Sequence, residues 1–280
     1  MLKRFIQYYK PQRKLFILDM ICAFTLSICD LVFPTLTRQI LNHHIPEGNL
    51  RMVLILAGVL LGAYVFKLFL NYFILYYGHL VGVHMQAQMR RDVFTHLQAL
   101  PFKFFDNNKT GSLMSRIVAD LFDISELAHH GPEDVFISLV LLLGSFIMMS
   151  AINVWLTLII FAFLPFLVYF SAKKRLALSR TFMKTREEIA EVNAILENSL
   201  SGIRVSKAFV NHDYEQQRFN RGNEAFVKAR SKAYKVMAEF HAGNTLILDC
   251  LNVVVIVAGG VFAYCGKITV GDFVTFLLYV

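Results

Sequence analysis

The sequence has few charged residues and few cysteines. Asp, Glu, Lys and Arg make up only 17% of the 280 residues and 56% are apolar, which excludes an ordinary soluble domain. The four cysteines lie in or beside apolar segments and form no CxxC pair, so neither a disulfide framework nor a zinc site is indicated. The composition indicates a polytopic membrane protein.

Basic residues are nearly absent from every second connection between apolar stretches. Of the 28 Lys and Arg residues, 5 precede Leu15, 5 lie between residues 78 and 132, and 14 lie between residues 173 and 239. This clustering is the positive-inside asymmetry of membrane proteins, so the net charge of +8 reflects topology and not nucleic-acid binding. We predict a multi-pass protein of a bacterial plasma membrane, because the short amino terminus has no organelle-targeting character, and we expect that terminus to lie in the cytoplasm.

Six apolar stretches predict membrane-spanning helices. They cover residues 15–40, 52–78, 135–152, 154–172 and 244–264, and the beginning of a sixth span at 272–280. The sixth stretch is too short to cross a hydrocarbon core of about 30 Å, so we expect the natural protein to continue beyond Val280. A single helix over residues 51–99 would measure about 73 Å at about 1.5 Å per residue. Such a helix is expected to project far into the cytosol.

Two polar elbows join the long helices in pairs. In the first elbow, Pro101 interrupts the helix and the residues 106–111 supply turn and cap chemistry. Three aromatic residues just ahead of this turn could pack locally or anchor a partner protein, and the anchoring role is favoured: Phe102, Phe104 and Phe105. The second elbow is predicted near residues 207–214, after a helix break at Gly202.

Three segments resemble ABC exporters of the multidrug and lipid-flippase type. The first intracellular loop of these exporters is similar to LQALPFKFFDNNKTGSLMSRIVAD, the second to ENSLSGIRVSKAFVNHDYEQQRF, and the start of the sixth span to GKITVGDFVTFLLYV. The likeness covers essentially the whole chain in the family's order. It implies an all-helical polytopic fold, the type 1 exporter transmembrane domain, with long cytosolic helix extensions and two coupling helices.

The resemblance assigns residues to both coupling helices. The first matches Asp106, Asn107, Asn108, Lys109, Thr110, Gly111, Ser112 and Leu113. The second matches Lys207, Ala208, Phe209, Val210, Asn211, His212, Asp213 and Tyr214. In such exporters these short helices sit in grooves of the nucleotide-binding domains, the second one on the domain of the partner subunit. The expected partners are therefore a second half-transporter, in a homodimer or heterodimer, and the nucleotide-binding domains of both.

The chain departs from a complete exporter in one respect. It contains no GxxxxGK[ST] P-loop and no LSGGQ-like signature, so alone it cannot hydrolyse ATP and no cofactor is expected in it. ATP and Mg²⁺ are expected in a nucleotide-binding domain beyond residue 280. The predicted function is the transmembrane part of an ATP-driven exporter that moves amphipathic small molecules, lipids or peptides through the membrane.

Five polar residues within the apolar stretches are candidate substrate contacts: Asp19, Asp30, Thr245, Asp249 and Asn252. Ionisable groups inside a span are costly, so they line a pathway or pair with one another. A cavity lined by carboxylates would favour cationic amphiphiles. The alternative is that the carboxylates are structural and pair with Lys67 or Arg38, or lie at the membrane interface.

No metal site is predicted. The pairs His43-His44 and His129-His130 are adjacent in sequence, and adjacent residues on a helix point about 100° apart, so surface histidines are favoured over ligands. Two alternative functions stay open. An ion-driven secondary transporter would use the intramembrane carboxylates as proton carriers, although the long cytosolic helices argue against it. A non-transporting membrane sensor or scaffold would retain the exporter fold.

Overall fold

The computed structural model describes residues 2–108 and 110–280, and within these ranges it contains only helices, turns and connections. The α-helices are α1 (Leu2–Gln7), α2 (Arg13–Gln39), α3 (Leu50–Phe73), α4 (His79–Gln98), α5 (Phe102–Asp106), α6 (Thr110–Ser115), α7 (Leu121–Ile152), α8 (Val154–Phe161), α9 (Leu164–Ser201), α10 (Ile203–Ala208), α11 (His212–Tyr264) and α12 (Val270–Tyr279). Three π-helical turns extend or connect them: Ile40–His44, Ile74–Gly78 and Arg116–Asp120. The predicted all-helical fold is confirmed.

Among the residues that the structure describes, five continuous helical segments are long and apolar enough to cross a membrane. They are Arg13–His44, Leu50–Gln98, Leu113–Ile152, Val154–Ser201 and His212–Tyr264. The segment Leu50–Gln98 contains 49 residues, so a helix of the predicted length is present. Its two α-helices, α3 and α4, are joined by the π-helical turn Ile74–Gly78. The helices form two compact units, one made of the residues up to Val154 with Val261–Val280, the other of Trp155–Gly260.

In the first unit, α2 packs against α7 in parallel. Phe24 lies beside Phe136 with their ring centroids 6.2 Å apart, and Leu31 occupies the space that a side chain at Gly144 would fill. From the first contact to the second, the residue numbers increase on both helices, so the two helices run parallel. Since α2 begins near the amino terminus, this contact ties the first span to the third.

An apolar cluster joins the amino-terminal helices to α4 and α7. Its buried members are Val81, Met85, Met89, Leu121 and Ala128. The hydroxyl of Tyr9 donates a hydrogen bond of 2.6 Å to the carbonyl oxygen of Ala128, and the hydroxyl of Tyr8 donates one of 2.9 Å to Asp92 of α4. Burial raises the pKa of the Tyr9 phenol. The short helix α1 is thereby fixed to the two longer ones.

In the second unit, α9 and α11 form an antiparallel pair over most of their length. At one end Ser171 donates a hydrogen bond of 2.8 Å to Asn244, and further along Lys174 forms an ion pair of 2.7 Å with Glu239. Near the opposite end, Ser199 donates a hydrogen bond to Glu215. In these three contacts the residue number on α11 falls as the residue number on α9 rises. The two helices are therefore antiparallel and keep one register from the apolar end to the elbow.

The expectation that both histidine pairs lie on the surface is wrong for His129, which is 3% exposed. The ring of His129 lies against the backbone of Gly78, where any side chain would collide with it. The burial of the His129 side chain depends on a contact between α7 and the π-helical turn Ile74–Gly78, which precedes α4. Sequence spacing within α7 alone gives no indication of that contact.

Candidate functional site

The first elbow consists of two short helices and a turn between α4 and α7. Helix α4 ends at Gln98, and Pro101 has an extended backbone, with φ −71° and ψ 154°. The chain then forms α5, turns, and resumes in α6. The side-chain amides of Asn107 and Asn108 donate hydrogen bonds of 2.8 Å to the carbonyl oxygens of Lys103 and Phe104. These bonds satisfy carbonyl groups that the end of α5 leaves without helical partners.

The aromatic residues of α5 are unevenly covered. Phe102 is 89% exposed, whereas Phe104 is partly buried and contacts Phe105 edge to face, with ring centroids 5.4 Å apart. The side chain of Phe102 therefore has almost no contact within its own chain. An isolated phenyl ring at the first residue of α5 suits insertion into an apolar pocket of another domain.

The second elbow lies between α9 and α11. Helix α9 ends at Ser201, Gly202 caps it, and α10 follows as a helix of six residues. At the tip Phe209 is 79% exposed and Val210 is 85% exposed. Each elbow thus presents a nearly bare apolar side chain, Phe102 at the first residue of α5 in the first elbow and Val210 at the tip of the second.

Val210 has a backbone φ of +55°, in the left-handed region. A β-branched residue rarely adopts this conformation, because its side chain crowds the backbone there. The amide of the next residue, Asn211, donates a hydrogen bond of 3.0 Å to the carbonyl oxygen of Ser206, which closes the turn. The geometry of the tip is therefore held by backbone bonds at a cost in strain of about 1 kcal/mol or more.

The two stretches assigned to coupling helices each span a turn and not a single helix. In the first, Asp106 ends α5 and residues 110–113 begin α6, whereas Lys109 lies outside the described residues. In the second, residues 207–208 end α10 and residues 212–214 begin α11. The helices at the two elbows are short because Pro101, the Asn107-Asn108 turn and Gly202 interrupt the backbone ladder.

Among the candidate substrate contacts, Asp30 has a partner. Lys67 of α3 forms an ion pair with the carboxylate of Asp30 on α2, as the alternative of paired carboxylates predicted. The pair lies in a cavity of about 340 Å³ between the two helices. The walls of this cavity are otherwise mainly apolar, and they include Phe33 and Tyr64, whose ring centroids are 5.6 Å apart. The charge of Asp30 is therefore compensated from within the chain.

Asp19 and Asp30 are not in equivalent environments, although both belong to α2. Asp19 is 1% exposed, and neither of its carboxylate oxygens has a hydrogen-bond partner among the described residues. Nδ1 of His129 is 4.0 Å from Oδ2 of Asp19. A fully buried carboxylate cannot contact a substrate directly in this conformation.

The three candidates on α11 share one exposed face of that helix. Thr245, Asp249 and Asn252 are all exposed, and they follow one another at intervals of four and three residues. The buried residues of the same region, Ile247 and Leu251, lie on a different face. Within the second unit this polar stripe is thus open to lipid, substrate or a partner chain.

Sequence reasoning missed a second group of polar residues in the first unit. His129 and Glu133 are both buried, and Asp19 and His79 lie next to them. The spacing of four residues between His129 and Glu133 places both on one face of α7. The sequence signal for this group is that spacing of four residues, which the adjacent pair His129-His130 does not reveal.

Comparison with known proteins gives concordant results. The family model for the ABC transporter transmembrane region matches residues 16–280. The uncharacterized ABC transporter ATP-binding protein YwjA of Bacillus subtilis (strain 168) is 34% identical over 278 residues, which are 99% of this chain and 48% of that protein. The ATP-dependent lipid A-core flippase of Thiobacillus denitrificans (strain ATCC 25259 / T1) is 26% identical over 279 residues, covering 98% of this chain and 48% of that protein.

A third relative is named for multidrug export. The putative multidrug export ATP-binding/permease protein YgaD of Bacillus subtilis (strain 168) is 25% identical over 286 residues, covering 100% of this chain and 49% of that protein. The chain spans about half the length of the curated relatives it matches. With its membrane-length helices and a family match over nearly its whole length, this multi-pass membrane chain belongs to the ABC transporter transmembrane region family.

Proposed function

We propose that this chain is the transmembrane part of an ATP-driven exporter and that its two elbows couple substrate movement to ATP hydrolysis. The observation that carries the proposal is the exposure of apolar side chains at the two elbows, above all Phe102 and Phe209. Exposed aromatic rings surrounded by polar residues are typical anchors of protein interfaces. The long helices that end in these elbows provide rigid connections to the membrane-spanning segments.

The partners in this proposal are two ATP-binding domains and a second transmembrane domain. ATP and Mg²⁺ would bind to the ATP-binding domains, and closure of these domains would move the elbows. The amino terminus and both elbows would face the bacterial cytoplasm, in keeping with the basic residues that surround them. Dimerisation would cover part of the apolar surface of the spans that is exposed in the single chain.

The substrate pathway would include the cavity around Asp30 and Lys67. The ion pair and its apolar walls suit an amphipathic molecule, since one part of the substrate would contact the charged groups and another part the aromatic rings. A lipid A-core flippase and a putative multidrug exporter among the relatives support amphipathic substrates. Peptides belong to the same physical class. The exposed stripe with Asp249 is the corresponding candidate in the second unit.

The proposal is tested by removing the exposed rings. Phe102→Ala and Phe209→Ala are introduced into the protein carrying its ATP-binding domain, reconstituted in lipid vesicles. We expect substrate transport per ATP hydrolysed to fall at least about tenfold, because loss of an aromatic anchor costs about 1.4 kcal/mol or more. Membrane insertion is expected to be unchanged.

Phe69→Ala is the matched control. Phe69 is also well exposed but lies in the apolar segment α3. Phe69→Ala should transport as much substrate per ATP hydrolysed as the wild-type protein. Normal coupling in both elbow variants would refute the proposed role of the elbows.

A further inference from the structure

Five titratable side chains of the first unit meet where α2, α4 and α7 approach one another. Asp19, His129 and Glu133 each offer one possible ligand atom, and these atoms all lie within 4.8 Å of one another. A second group with the same property consists of His79, His129 and His130. The two groups share His129, so the five residues form one cluster.

The inner group of this cluster is buried and its polar atoms lack partners. Asp19, His129 and Glu133 are 1%, 3% and 6% exposed. Both oxygens of Asp19, Nδ1 of His129 and Oε2 of Glu133 have no hydrogen-bond partner among the described residues. Buried polar atoms without partners are costly, at about 1–3 kcal/mol each and more where a charge is involved. The arrangement therefore requires a compensating group.

The negative charges of the two buried carboxylates strengthen the need for a compensating group. Nε2 of His129 is 3.4 Å from Oε2 of Glu133, and Nδ1 is 4.0 Å from Oδ2 of Asp19. Within the buried inner group, the single imidazole cannot neutralise both carboxylates, because even its protonated form carries only one positive charge. A divalent cation balances both carboxylates and leaves the imidazole neutral, which is the form that binds metals.

The backbone around the cluster is shaped to bring these groups together. The π-helical turn Ile74–Gly78 directly precedes His79, and its last residue, Gly78, allows the ring of His129 to approach the backbone. Nδ1 of His79 lies 2.6 Å from the carbonyl oxygen of Leu75. This contact holds the ring in place with Nε2 available, as is usual for histidines that bind metals. Single π-helical turns within α-helices are frequent at functional sites.

We propose that this cluster binds one divalent transition-metal ion of the zinc class. Asp19, His129 and Glu133 would be the ligands, and His79 would complete the coordination or orient His129. Imidazole nitrogen together with carboxylate oxygen is a common ligand set for Zn²⁺, whereas Mg²⁺ and Ca²⁺ prefer oxygen ligands alone. Ligand atoms around tetrahedral zinc are about 3.4 Å apart, so side-chain movements of about 1 Å bring the three atoms to one ion.

The metal would have a defined mechanical effect. Asp19 belongs to α2 and His129 and Glu133 to α7, so the ion would link the first span to the third. Participation of His79 would add the long helix that leads to the first elbow. Metal binding would thus stabilise the packing of these helices against one another. This inference does not depend on the proposed coupling function.

The test is metal binding by the protein purified through a tag without histidine. After treatment with a chelator and dialysis against Zn²⁺, we expect about one zinc per chain by elemental analysis. With Co²⁺ in its place, visible d–d absorption should appear on titration. Asp19→Asn, His129→Gln and Glu133→Gln should each weaken zinc binding at least about 100-fold, since removal of a direct ligand exceeds the 10–100-fold effect of outer partners.

His43→Gln and Glu47→Gln are the matched controls, because both residues are exposed and lie outside the cluster. They should retain the zinc content and the Co²⁺ spectrum. Wild-type protein that binds neither ion would overturn the proposal and would indicate that protons compensate the carboxylates. Equal zinc content in wild type and His129→Gln would also overturn it. Metal binding by the wild-type protein tests the proposal without any variant, so the proposal remains testable even if a variant fails to fold.

Discussion

Arg38 of α2 and Asp272 of α12 form an ion pair in which Nε of the guanidinium lies 2.5 Å from Oδ1 of the carboxylate. The same carboxylate accepts a hydrogen bond of 3.1 Å from the side chain of Asn42. Its other oxygen accepts one of 2.9 Å from the backbone amide of Thr269, which completes a capping box at the start of α12. Asp272 thereby fixes both the beginning of α12 and its position beside α2.

The first prediction concerns the stability of this contact. Asp272 is almost buried and Arg38 is only partly exposed, so removal of Arg38 leaves an uncompensated carboxylate inside the protein. We expect Arg38→Gln and Asp272→Asn each to destabilise the fold by about 2–3 kcal/mol, and the double variant to cost less than their sum by about 1 kcal/mol or more. Thermal unfolding in one detergent at one protein concentration provides the comparison. Strict additivity would show that the two residues act independently.

The second prediction concerns the preference for charged substrates. Lys67 compensates Asp30 within the cavity between α2 and α3. If this cavity belongs to the proposed substrate pathway, Lys67→Gln in the protein carrying its ATP-binding domain exposes an uncompensated carboxylate to the substrate. We expect the concentration of a cationic amphiphile that half-stimulates ATP hydrolysis to fall about tenfold, equivalent to about 1.4 kcal/mol of binding. Asp30→Asn should raise it, because the remaining Lys67 repels cations. An uncharged amphiphile serves as the control, and its half-stimulating concentration should change little. Identical responses to both compounds would exclude the ion pair from the pathway.

The sequence predicts local features of this fold better than long-range contacts. Pro101 and Gly202 interrupt helices through their own backbone chemistry, so both helix ends are visible in the sequence. The apolar stretches likewise predict helices by length and composition alone. Burial of His129 has a different origin, because it requires Gly78, which is remote in sequence and contacts it only in the folded chain.

Side-chain pairing shows the same difference. Asp30 and Lys67 were recognisable as a possible pair because isolated charges within apolar stretches need partners. Asp19 carries the same sequence signal, yet the structure places it beside His129 instead of a basic residue. The register of α2 against α3 and α7 determines which side chain lies beside each carboxylate. That register cannot be derived from a single sequence.

The third prediction uses the left-handed backbone of Val210 to separate conformational strain from side-chain contact. Val210→Gly and Val210→Ala both remove an exposed apolar side chain, but only glycine adopts φ of +55° without steric cost. We therefore expect the glycine variant to be more stable than the alanine variant by about 1 kcal/mol. At Val205, an exposed residue within α10, the order should reverse by about the same amount, since glycine is unfavourable inside a helix.

The same two variants also test the role of the side chain in coupling. If the exposed side chain of Val210 contacts an ATP-binding domain, both variants should transport less substrate per ATP hydrolysed, regardless of which is the more stable. If the left-handed turn is what the partner recognises, the glycine variant should keep normal coupling and only the alanine variant should lose it. We expect the first result, because the side chain has little contact within its own chain. Thermal unfolding and transport assays on the same preparations distinguish the two cases.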